Sequence, residues 1–163
     1  MKKFIIILIS ALFVFNVNLY SAGKDDNFIK LCQTYKAKDS SFEYHDLMMV
    51  LRIAKARMSK EDKAKLKDVT GYWFVYYDNC PENVRKDFLS DLSNILKTKE
   101  SLSQETDEMK SKIYFSKSSD SDKVQDVIIV AEITKPVKGN LKNMIMYIQG
   151  ELPVDKALDL SHN

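Results

Sequence analysis

The sequence predicts an α+β fold, an antiparallel sheet of about four or five strands with helices packed mainly on one face. Three observations carry that expectation. Helical periodicity dominates the first half of the 163 residues, and at least three consecutive strand patterns fill the second half. Between them lies Val69–Tyr77, VTGYWFVYY, which is apolar on both side-chain parities and holds the only tryptophan. As a strand, Val69, Trp73, Val75 and Tyr77 face one way, and Tyr72, Phe74 and Tyr76 the other. So much aromatic surface needs an interior strand screened on at least one side.

The elements follow in order. Asp25-Asp26-Asn27 supplies N-cap and first-turn residues. Phe28, Leu31, Cys32 and Tyr35 then form one helical stripe. Phe42-Glu43-Tyr44-His45 alternates as a short strand would. From Asp46 a second helix carries Leu47, Val50, Leu51, Ala54 and Met58 on one face. Ser59-Lys60-Glu61-Asp62 is a fresh N-cap with acids in its first turn, so the helix turns a corner there and ends near Lys67. Pro81 suits the first position of a helix running to about Lys97, with Val84, Phe88, Leu92, Ile95 and Leu96 on its buried stripe. Ser101–Lys110 reads as an edge hairpin arm or a loop, and Ile113-Tyr114-Phe115 as the centre of a strand. Val124–Ile133 sets Val127, Ile129, Ala131 and Ile133 against Ile128 and Val130. A loop with Pro136, Gly139 and Asn140 precedes the last strand, Met144–Leu152, and Pro153–Leu160 reads as a terminal helix.

The N-terminus reads as an export signal occupying residues 1–23, ahead of a single α+β domain over 24–163. Lys2 and Lys3 precede the apolar run Phe4–Leu19, and small residues follow at Ser21-Ala22-Gly23. The expected location is therefore periplasmic or extracellular. The whole chain has 25 basic and 23 acidic residues, and losing Lys2 and Lys3 makes the two counts equal. A neutral exported protein lacks the electrostatic footprint of a nucleic-acid binder.

Little in the chain points to catalysis. There is no nucleophile elbow, phosphate-binding glycine loop or HExxH motif, and only His45 and His162 could supply an imidazole. No catalytic residue, cofactor or metal ligand is therefore expected. Asp120 and Asp122 sit in a KSSDSD turn without the glycine and distal glutamate of a calcium loop. Cys32 and Cys80 are the only cysteines. In an oxidising compartment they could form a disulfide worth about 4 kcal/mol by loop-closure entropy. They could equally be separate thiols, with Cys80 favoured as a thiolate at a helix N-terminus and usable by a redox or thiol-dependent enzyme.

Two surfaces remain as binding candidates. An open sheet face bearing Tyr72, Phe74, Tyr76, Tyr114 and Tyr147 would suit a partner protein, a glycan or a second copy, unless the first helix or the C-terminal segment covers it. The segment holding Arg52, Lys55, Arg57, Lys60, Lys63, Lys65 and Lys67 is either an anion-facing patch or a solvated helical face. In the first case Arg52, Lys55, Lys60 and Lys63 are its natural contacts. The expectation is thus a non-enzymatic module that binds a protein or envelope component, with an anionic membrane surface as a further partner class.

The run Val127-Ile128-Ile129-Val130, the segment Tyr147-Ile148-Gln149-Gly150-Glu151-Leu152 and the order of elements resemble the domain of unknown function 4252 family across roughly Phe28 to Leu160. That resemblance implies a small exported protein of Gram-negative bacteria with an α+β fold. It carries no activity and no catalytic residue with it.

Overall fold

The computed structural model describes residues 27–134 and 142–159. The expected signal peptide, the loop with Pro136, Gly139 and Asn140, and His162 lie outside the described residues. Helix α1 spans Asn27–Lys38, β1 Glu43–Asp46, α2 Met48–Arg57, α3 Lys60–Lys65 and β2 Val69–Tyr76. Helix α4 (Glu82–Leu96) leads into β3 (Glu100–Glu105), β4 (Met109–Lys117), β5 (Lys123–Ile133), β6 (Asn143–Pro153) and α5 (Val154–Asp159).

The fold is α+β, built on one antiparallel sheet of six strands in the order β1-β2-β6-β5-β4-β3. The sequence led to four or five strands because the two edges are inconspicuous. β1 is four residues long, and β3 is the polar stretch ESLSQE, exposed almost throughout. β2 and β6 are interior, as the doubly apolar pattern of Val69–Tyr77 requires.

Each face of the sheet has its own core. On one, α1 and α4, the two longest of the described helices, bury Phe28, Cys32, Tyr35, Phe88 and Leu92 against Trp73, Val75, Ile128, Ile145 and Tyr147. Phe88 is the hub, with its ring 5.3 Å from Tyr35, 4.8 Å from Phe42 and 5.3 Å from Tyr77 between centroids. Tyr35 Oη donates to Asp91 Oδ2 at 2.7 Å and ties the two helices together. On the other face Leu47 and Leu51, with Leu66 beyond α3 and Ala157 of α5, cover Tyr72, Phe74, Val127, Ile129, Met146 and Ile148.

Val69 departs from the simple alternation. It belongs to the core of Tyr72 and Phe74, not to that of Trp73 and Val75. The β2–β6 register shifts between Val69 and Gly71, so Thr70 is an inserted residue and the parity reverses across it. The irregularity continues sideways. The β5–β6 register shifts between Gln125 and Val127, and Asp126 is the one described non-glycine residue with positive φ, 52°. Its Oδ1 accepts the Gly150 N–H at 3.2 Å, while Gly150 itself adopts φ 101°.

Asp78 fixes the entry to β6. Its Oδ2 accepts the backbone N–H groups of Lys142 and Asn143 at 2.7 and 2.8 Å, and its Oδ1 accepts Asn143 Nδ2 at 2.7 Å.

Candidate functional site

The tyrosines expected on one open face divide between the two. Tyr72 and Phe74 are each 7% exposed and lie in the core under α2. Tyr72 Oη donates to Met146 Sδ at 3.5 Å, and burial drives its phenol pKa well above normal. Tyr76 is half-buried at the margin of the same core. Tyr147 lies on the opposite face, because β6 pairs Tyr147 with Trp73 and Met146 with Phe74. There its ring stacks on the indole, 5.3 Å between centroids at 20°. Tyr114 joins the Trp73 side, half-buried, with Lys112 Nζ 5.1 Å from its ring centroid. Three of the five expected aromatic contacts, Tyr72, Phe74 and Tyr147, are therefore interior, and the register pairing β6 against β2 splits the set between two faces.

The cysteines share the Trp73 core. Both are buried and no disulfide joins them, which is the separate-thiol alternative of the two the sequence leaves open. Burial pushes the Cys80 thiol pKa upward, and a hydrogen bond with Ser41 offsets this only in part. A nucleophile needs the reverse shift.

Asp120 serves its own turn, its Oδ1 accepting the Asp122 N–H at 3.1 Å. Lys123 Nζ reaches Glu151 at 3.2 Å, Asp68 at 3.4 Å and Asp120 at 3.7 Å, so these acids surround an ammonium. The hydrogen bond from Ser118 and then that from Lys123 lower the Glu151 pKa. Among the described residues no group of three or more His, Cys, Asp or Glu is arranged to hold a metal ion. An open cavity of about 440 Å³ lies beside the bulge, lined by Phe28, Asn94, Lys99, Asp126 and Tyr147 among others. Lys99 is engaged there, its Nζ donating to Ser116 Oγ at 2.9 Å and to the Asp126 carbonyl at 3.2 Å.

The α2–α3 corner is built differently. Leu47 and Leu51 bury the inner face of α2, and the Leu47 N–H donates to the Tyr72 carbonyl at 2.7 Å, fixing the helix start to the sheet. Ser59 caps α3 as its sequence requires, accepting the Asp62 N–H at 3.1 Å. Lys55 points inward across the corner and donates to the Leu66 carbonyl at 2.6 Å. Burial, and then neighbouring Arg52, lower its pKa. Lys55 is thus a clasp between α2 and the end of α3, not an anion contact.

The outer face of α2 carries Met49, Arg52, Ile53, Ala56 and Arg57, all exposed and at helical spacing. Met49 is 56% and Ile53 59% exposed, the two most exposed large apolar side chains among the described residues. Lys60 and Lys63 continue the exposed surface onto α3, and Lys63 Nζ lies 3.4 Å from the Ala56 carbonyl. Lys65, by contrast, pairs with Glu61 at 2.9 Å. Of the four expected anion contacts, Arg52, Lys60 and Lys63 face water. Met49 and Ile53 fall off the inner stripe of the segment, but so does Met48, which is half-buried against the same core, so spacing alone does not single them out.

By fold and surface this is an α+β protein with two covered sheet faces and a basic, partly apolar helical corner. Comparison with protein-family models, curated proteins and solved structures finds no match for the chain.

Proposed function

We propose that this is an exported, non-enzymatic interaction module whose working surface is the α2–α3 corner and whose partner is anionic. One observation carries the reading: exposed Met49 and Ile53 share an outer helical stripe with Arg52 and Arg57. Two large apolar side chains one helical turn apart and flanked by cations suit a docking face. Burial of Tyr72, Phe74 and Tyr147 weighs against the competing aromatic surface, and the raised Cys80 pKa weakens a thiol-based alternative.

Inorganic polyphosphate is a suitable soluble probe. Titrated into isotopically labelled protein, it should shift the amide resonances of α2 and α3, with an affinity that falls steeply as salt rises. Shifts centred on any other surface, or none at all at low salt, would refute the reading.

A further inference from the structure

We infer that the anionic partner is a lipid surface. In this arrangement Met49 and Ile53 enter the boundary between headgroups and acyl chains, while Arg52, Arg57, Lys60 and Lys63 contact lipid phosphates. The inference rests on the proposed function and narrows it to one class of partner.

The chemistry of the stripe separates the candidates. A soluble polyanion satisfies the cations and leaves both apolar side chains in water. A lipid surface satisfies both at once, at different depths. Arg and Lys stems are long enough to keep their charges among phosphates while the shorter Met49 and Ile53 side chains descend between them. A protein partner could also cover apolar side chains, but protein interfaces are depleted in lysine, and here Lys63 reaches the stripe at the Ala56 carbonyl. The corner is also braced for contact. Lys55 holds α2 to the Leu66 carbonyl, and Leu47 and Leu51 anchor α2 in the core, so the outer face is presented by a fixed helix. No helix among the described residues is long and apolar enough to cross a membrane.

The test uses the protein recovered after export from an expressing bacterium, with sedimentation against two vesicle types. One contains phosphatidylglycerol and phosphatidylethanolamine, and the other only phosphatidylcholine. Wild type should sediment with the first and not the second. The pair M49S/I53S should lower partition by at least ~10-fold. The pair R52E/K60E should abolish vesicle and polyphosphate binding alike. All four positions are exposed, so each variant should keep its cooperative unfolding transition and Trp73 emission. Vesicle binding by M49S/I53S equal to wild type overturns the lipid inference. Polyphosphate binding without vesicle binding overturns it too, leaving the anionic reading in place and pointing to a macromolecular partner. Loss of neither ligand in R52E/K60E overturns both.

Discussion

The indole of Trp73 lies across the bare Cα of Gly71. A Cβ built on Gly71 would fall 1.9 Å from Trp73 Cη2 and 2.0 Å from Cζ3. The ring cannot swing away, because it is 3% exposed and stacked on Tyr147. Gly71→Ala should therefore displace the indole and destabilise the protein by about 1–3 kcal/mol, the usual range for overpacking a core. Urea unfolding gives the stability change. A shift in tryptophan emission identifies the cause, since Trp73 is the only indole. An alanine variant with native stability and emission would show that the ring is free to move.

Gly150 is constrained by its backbone. With φ at 101° and a Cβ position 2.2 Å from the Asp68 carbonyl oxygen, it meets both conformational strain and a clash with main chain. Gly150→Ala should cost more than Gly71→Ala, on the order of 3 kcal/mol or above, because backbone yields less readily than a ring. Amide exchange should accelerate first near the bulge, at Val69, Asp126 and Glu151. The neighbouring Asp126→Asn change, which keeps an oxygen for the Gly150 N–H and tolerates positive φ, should cost under about 1 kcal/mol.

How much of this could be read from sequence depends on whether the signal was local. The corner at Ser59, the helix after Pro81 and the alternating faces of Val127–Ile133, beyond the Asp126 bulge, all rest on local chemistry, namely a cap, a fixed φ and a two-residue period. The structure bears each of them out. Val69 and Tyr147 were misassigned because face depends on bulges and on register between strands far apart in sequence. One inserted residue at Thr70 reverses the parity of Val69, and nothing nearby announces it. The basic corner was visible as composition, but which cations face outward was not. Lys55 and Lys60 look alike in the chain, and only the approach of Leu66 turns one of them inward.

The two thiols offer a direct check on the Trp73 core. Cys32 and Cys80 are unbonded and only 0% and 5% exposed. Their reaction with an aromatic disulfide reagent should be slower in the native protein than in denaturant by on the order of 100-fold or more. Two thiols per chain should be released on unfolding without reductant. Rapid native labelling of Cys80 would mean that it is accessible and ionised, and would restore a thiol chemistry to consideration.

Alkaline pH should unfold this protein earlier than its ion pairs alone would require. Burial, followed by the Asp78 carboxylate, pushes the Tyr77 pKa up from 10.0 to about 12. Burial raises Tyr72 as well, and burial with the Asp91 hydrogen bond raises Tyr35. In each case the folded chain keeps a proton that the unfolded chain releases near its ordinary value. Between those two pKa values the native state binds more protons, so stability falls as pH rises. Stability should thus be flat with respect to these groups from neutral pH to about 9, then decline from roughly pH 10 upward. Tyr77 alone accounts for on the order of 2–3 kcal/mol by pH 12. Urea midpoints measured at half-unit pH intervals would show the decline. Tyr77→Phe keeps the ring against Phe88 and removes the titrating hydroxyl, so its curve should fall less steeply over the same window. If the variant and wild type decline in parallel, Tyr77 ionises in the folded state as readily as in the unfolded one.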